Sequence, residues 1–249
     1  MSLSKPTTMS VIAKQYKYKL KAYLNVYFSL VILQIIAMLF SFSSTSSMNF
    51  GTQNMNVNIG YYSVDIVIVF SMIWAFITGI LLTTKTYRND NFNFITNRVS
   101  NNISNVLFLM TGSIIAGTAA MLSTFLQKVI LYYIGGIRFV NATSLLDYPK
   151  EILLGIGATI LYILLFSSLG YIVGTLVQLH KVFAFIIPVI FFGILFTIES
   201  TAPHEFKIKL FEFFFRESSV ILFSLKNLII AALLFTSATV ISNRLEVES

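Results

Sequence analysis

Between Ile152 and Ile198 the chain runs for 47 residues with only His180 and Lys181 as charge-bearing side chains. As one straight helix this stretch would be ~70 Å long at 1.5 Å per residue, over twice the ~30 Å of a bilayer's hydrocarbon core. It has to fold back on itself, and His180–Lys181 is the one charged place to turn. Apolar runs of spanning length recur elsewhere, giving predicted spans at 23–42, 64–83, 103–126, 152–179, 182–198 and 220–241. Pro188 falls inside the fifth and is expected to kink it, which neighbouring helices in a membrane tolerate. The expectation is an all-α membrane protein of about six transmembrane helices, forming a single integral domain over residues 1–249.

Composition closes off the alternatives. Charged residues make up 11% of the chain and hydrophobic ones 56%, whereas a soluble domain needs roughly 25% charged residues to cover its surface. There is no cysteine, so disulfides, thiolate metal sites and cysteine nucleophiles are excluded. Met1–Pro6 lacks the features of a signal peptide. The net charge of +7 fits membrane topology, and no nucleic-acid partner is expected. With the N-terminus inside, ten Lys and Arg fall on the inner side and seven on the outer, and five lysines precede the first span. The positive-inside rule then puts both termini in the cytoplasm of a multi-pass plasma-membrane protein. The first outer loop, Ser43–Gly60, has no charge at all.

Three segments outside the spans stand out. Met9, Ile12, Ala13, Tyr16, Leu20 and Tyr23 recur at helical spacing with Lys14, Lys17 and Lys21 off that stripe, as in a basic amphipathic helix lying on an inner leaflet. TYRNDNFNFITNRVSNN, from Thr86 to Asn102, mixes Arg88, Asp90 and Arg98 with Phe92, Phe94 and Ile95 among asparagines. A short helix near Asp90–Thr96, capped by Asn89 or Asp90, would offer Phe92 and Ile95 to a partner's groove; phenylalanines dipping into the bilayer interface are the other explanation. Before the last span, HEFKIKLFEFFFRESS sets Glu205 four residues before Lys209 and Glu212 four before Arg216. Phe206, Leu210, Phe213 and Phe214 share a face of the same predicted amphipathic helix on the outer side. That face would gate an exit path or serve as an interfacial anchor.

Catalytic equipment is missing. No GxxxxGK[ST], HExxH or GxSxG occurs, so the chain is not expected to be an enzyme, or to hold a metal or cofactor. No span carries a charge near its middle, which argues against a proton-coupled carrier. Gly170 and Gly174 form a GxxxG pair, and Gly112, Ala116 and Gly117 cluster similarly, predicting close helix approach within the chain or at a dimer seam.

The layout resembles permease subunits of the ABC-2 type. It has a basic N-terminal helix, two spans, a polar cytoplasmic loop with aromatics, and four more spans with an amphipathic outer segment before the last. The sharpest local likeness is TYRNDNFNFITNRVSNN, which is similar to the coupling loop of small permeases. The resemblance implies a cytoplasmic ATP-binding-cassette ATPase as partner, with ATP and magnesium in that partner, and a second permease subunit, identical or not. It implies a coupling loop of Arg88, Asp90, Phe92, Phe94, Ile95, Asn97 and Arg98. It further implies an extracellular gate of Phe206, Leu210, Phe211, Phe213, Phe214 and Phe215, and an amphipathic or hydrophobic peptide as cargo. The competing expectation is a non-transporting membrane immunity or regulatory protein.

Overall fold

The computed structural model describes residues 7–43, 45–52, 55–62, 65–84, 86–87, 98–134, 149–201, 203–215 and 219–244. The chain enters as helix α1 (Thr8–Ala22) and, after a break at Tyr23, continues as α2 (Leu24–Ser43). A two-stranded antiparallel hairpin follows, β1 (Thr45–Thr52) and β2 (Met55–Tyr62). Then come α3 (Asp65–Leu81), α4 (Arg98–Tyr133), α5 (Pro149–Leu179), α6 (Phe183–Thr201), α7 (His204–Phe215) and α8 (Val220–Arg244). Five helices, α2, α4, α5, α6 and α8, are long and apolar enough to cross a membrane. The sixth apolar helix, α3, has 17 residues, at the lower end of the spanning range of about 17–25. Hydrogen-bonded turns extend it through Thr84.

Helix ends follow local chemistry. Pro149 and Glu151 open α5, a proline where the missing N–H costs nothing and a carboxylate beside the positive end of the helix dipole. Asp65 does the same at the start of α3. The hairpin turn between α5 and α6 falls at His180–Val182, as the two charges predicted. α6 runs through Pro188 as one helix.

Two elements differ from the sequence expectation. The uncharged loop contains the hairpin, in register Met48 with Ile59 and Phe50 with Val57. Helix α4 begins five residues before the predicted third span and ends seven after it. Its 36 residues give ~54 Å, well beyond a ~30 Å hydrocarbon core. Hydropathy missed the first turns because they are polar, yet Ser100, Asn102, Ser104 and Asn105 are buried by the helices around them.

Interhelical contacts fix the relative directions of α2, α3, α4, α5 and α8. Gln34 of α2 meets Ala116 of α4 and Ser41 meets Gln127, so these two run parallel. Gly170 and Gly174 of α5 lie against Phe76 and Ile80 of α3, and Tyr171 and Tyr162 of α5 meet Phe235 and Phe223 of α8. Helices α3, α5 and α8 are therefore parallel to one another. They oppose α4, where Gly117 faces Ile160 and Asn105 meets Tyr171. The spans thus alternate, and both α1 and the end of α8 lie at one end of the bundle. The start of α4 is there too, since Arg98 Nη1 donates to the Ser242 carbonyl at 3.1 Å.

The GxxxG pair acts within the chain. A Cβ on Gly170 would fall on the carbonyl oxygen of Phe76, and one on Gly79 would stand 2.7 Å from Tyr171 N. Only glycine lets α3 and α5 approach this closely. The interior is otherwise nearly as rich in Ser, Thr, Asn and Gln as in apolar residues, while Phe28, Val31, Ile35, Leu39, Phe185, Val189 and Phe196 face outward. In water that distribution would be inverted. In lipid it is the stable one, because the surroundings are as apolar as leucine and internal polar pairs supply specificity. Gln34 Nε2 is such a pair-former, donating to Ser71 Oγ at 3.0 Å and to the Ala116 carbonyl at 3.1 Å, so one side chain fastens three spans.

Candidate functional site

Helix α1 presents part of the predicted stripe: Ile12 and Tyr23 are buried, and Tyr16 and Leu20 are half-buried. Met9 and Ala13 are exposed, and the face packed on α4 is Ile12, Gln15 and Lys19, continued by Tyr23. Those residues sit at i, i+3, i+7 and i+11, a helical face that keeps Ile12 and Tyr23 of the expected stripe and turns toward Gln15 and Lys19. Lys14, Lys17 and Lys21 remain exposed, as the pattern required. Tyr16, half-buried, shares a 2.7 Å hydrogen bond with Thr111 of α4.

Lys19 is the centre of this contact. Its side chain has no exposed surface. The ammonium donates to Asn101 Oδ1 at 2.6 Å, Ser104 Oγ at 2.6 Å and Asn105 Oδ1 at 2.5 Å, with the Asn101 carbonyl at 3.3 Å. All these acceptors lie on the first turns of α4, and all are neutral. Beyond Asn105 stands Tyr171 of α5, joined to both Asn105 (3.2 Å) and Asn102 (2.9 Å). Beside this network is a polar cavity of about 30 Å³ lined by Thr83, Asn102, Tyr171, Thr175, Gln178 and Ser242. Four spans, α3, α4, α5 and α8, contribute to its wall.

Burial pulls the Lys19 ammonium down to about 7 from its ordinary 10.5. Below pH 7 both docked and undocked α1 carry the proton. Between pH 7 and 10.5 the docked lysine loses it while an undocked one keeps it. The undocked state then binds more protons, so docking strengthens as pH rises through this window. Amide exchange across Thr8–Ala22, corrected for its intrinsic pH dependence, is expected to slow from pH 7 to pH 10 relative to that of α5. A constant ratio would show that Lys19 does not titrate in this range.

The predicted coupling residues divide. Arg88, Asp90, Phe92, Phe94, Ile95 and Asn97 lie outside the described residues. Arg98 opens α4, half-buried, with its guanidinium on Ser242. In the predicted gate, α7 forms as expected over His204–Phe215 and Phe206 is half exposed. Leu210, Phe211, Phe213, Phe214 and Phe215 belong to the same helix. The expected pairing of Glu205 with Lys209 is absent; Lys207 reaches back instead to Glu199 of α6, at 3.3 Å to its carboxylate and 2.5 Å to its carbonyl. Glu212 lies on α7, and its expected partner Arg216 falls outside the described residues. Sequence reasoning missed Lys19, counting it only as a topology charge. The usable signal was the spacing of Asn101, Asn102, Ser104 and Asn105, which clusters four polar groups on two turns of one helix.

The fold and this buried polar network define a multi-pass, all-α membrane protein whose N-terminal helix is fastened into the bundle. Comparison with family models, curated proteins and solved structures finds no match to this chain.

Proposed function

We propose that the chain is the permease subunit of an ATP-driven exporter of the ABC-2 type, resident in the plasma membrane with both termini in the cytoplasm. In this reading a separate cytoplasmic ATPase holds ATP and magnesium, a second permease subunit completes the channel, and the cargo is an amphipathic or hydrophobic peptide. The chain itself performs no chemistry. Residues 88–97 act as the coupling element and α7 as the gate at the opposite end.

The observation that carries this reading is how firmly the start of α4 is held. Residues 88–97 lead directly into it. Lys19 binds its first turns to α1, and Arg98 binds it to the end of α8. A loop that transmits a partner's closure can shift the bundle only if its root is stiff, since nucleotide binding works through differential contacts in two states. The alternation of spans supports the same reading, with α7 and the hairpin at one end and 88–97 joining helix ends at the other.

The test is purification of the tagged chain from native membranes in mild detergent. A Walker-motif ATPase is expected to co-purify, and Phe92→Ala with Phe94→Ala is expected to reduce its recovery at least ~tenfold, as for buried aromatic anchors at an interface. Recovery of the chain alone, under conditions that keep other membrane complexes whole, would point instead to the immunity or regulatory reading.

A further inference from the structure

The hydrogen bonds leading away from Lys19 all run in one direction. The ammonium donates to Asn105 Oδ1. Asn105 Nδ2 donates to the Tyr171 hydroxyl, and that hydroxyl donates to Asn102 Oδ1. The series ends at Asn102 Nδ2, a buried donor with no partner among the described residues. Asn102 is only 4% exposed and lines the cavity of about 30 Å³. A buried N–H left without an acceptor keeps its full desolvation penalty, so an acceptor in this cavity is strongly favoured.

The direction of the series says what kind of acceptor. Each bond polarises the next, and a series that starts on a cation leaves its last hydrogen more positive than an ordinary amide's. Among the described residues Lys19 has no carboxylate partner, so its charge is met only by neutral oxygens. A buried charge without a counter-ion is a large electrostatic deficit. Gln178 and Ser242 add an amide and a hydroxyl to the same cavity wall. Thr83 and Thr175 spend their hydrogens on their own helices. The space holds one or two waters by volume, which favours a single small ion over phosphate, sulfate or a carboxylate-bearing molecule.

We propose that this cavity binds a single monovalent anion of halide size, held at the end of the Lys19–Asn105–Tyr171–Asn102 relay. Such an ion joins α3, α4, α5 and α8 at the end of the bundle where α1 and the end of α8 lie. It supplies the negative charge that Lys19 otherwise lacks. The inference stands whether or not the chain is an exporter.

Bromide is the probe. Thermal unfolding of the purified full-length protein is followed through Trp74, the chain's single tryptophan, at pH 6 and constant ionic strength, with bromide replacing gluconate. The midpoint is expected to rise saturably with bromide, to do so with chloride, and not to respond to sulfate. Asn102→Leu removes the terminal donor, and Tyr171→Phe breaks the relay while keeping the ring. Asn102→Leu is expected to raise the half-saturating bromide concentration about tenfold or more, the scale of losing one hydrogen bond to a charged group, and Tyr171→Phe, which keeps that donor but cuts it off from Lys19, to raise it by a smaller measurable factor. Should Asn102→Leu fail to fold, Tyr171→Phe alone decides. A wild-type midpoint indifferent to bromide means the cavity holds water only and overturns the proposal. So does a bromide response of unchanged half-saturation in the folded variants.

Discussion

Gly170→Leu is expected to prevent the protein from assembling its central helix pair. The Cβ alone would occupy the position of the Phe76 carbonyl oxygen, and the next contacts, Phe76 C at 2.8 Å and Cα at 2.9 Å, are also backbone. No side-chain rotation relieves this, so α3 and α5 must separate along their length. Overpacking a well-filled core costs typically 1–3 kcal/mol even when side chains can adjust; a backbone clash across the main seam should exceed that. Gly193→Leu provides the control, since nothing lies within 4 Å of a Cβ there, and a better helix former should leave stability level or raise it by up to about 1 kcal/mol. Monodispersity and thermal midpoint in detergent distinguish the two. Equal behaviour of both variants would mean that α3 and α5 are not packed through Gly170.

The second large effect belongs to Lys19. In Lys19→Glu a carboxylate would face Asn101 Oδ1, Ser104 Oγ and Asn105 Oδ1, all positioned as acceptors. Turning Asn105 over to donate would break its bond to Tyr171. An unpaired charge with no exposure is among the few single changes that cost more than about 4 kcal/mol. Helix α1 should therefore leave the bundle, exposing Thr8–Ala22 to rapid amide exchange and proteolysis. Lys17→Glu, on the exposed face of the same helix, should change docking by no more than about 0.5 kcal/mol. If the two variants protect α1 equally, the buried placement of Lys19 is wrong.

The contrast between Lys17 and Lys19 also shows where the sequence could be read and where it could not. The succession of apolar helices, the turn at His180–Lys181 and the close approach at Gly170 and Gly174 were all visible, because each follows from length, charge or size alone. The packed face of α1 was not. Hydrophobicity placed Met9 and Ala13 inward and gave Lys19 no place on either face, whereas Ala13 is exposed and Lys19 is satisfied by asparagines 82 to 86 residues away. Polar pairing across a bundle is a property of two segments together, and the cluster of Asn101, Asn102, Ser104 and Asn105 marks only one of them. The hairpin is a different case. Met55, Val57, Ile59 and Tyr61 alternate with Asn56, Asn58 and Gly60, a period-two signal hidden inside what a search for spans treats as a gap. The first turns of α4 were lost for the same reason as Lys19: their asparagines look like loop until their partners are known.

Helix α6 buries none of its described residues against the rest of the chain, unlike every other span. Its 19 residues measure ~29 Å, close to the ~30 Å of an average hydrocarbon core. With so little protein to lean on, α6 is the span whose tilt packing constrains least, so a thicker or thinner bilayer is expected to change its angle before it strains the remaining spans. The clasp of Lys207 on Glu199 carries any such change to α7.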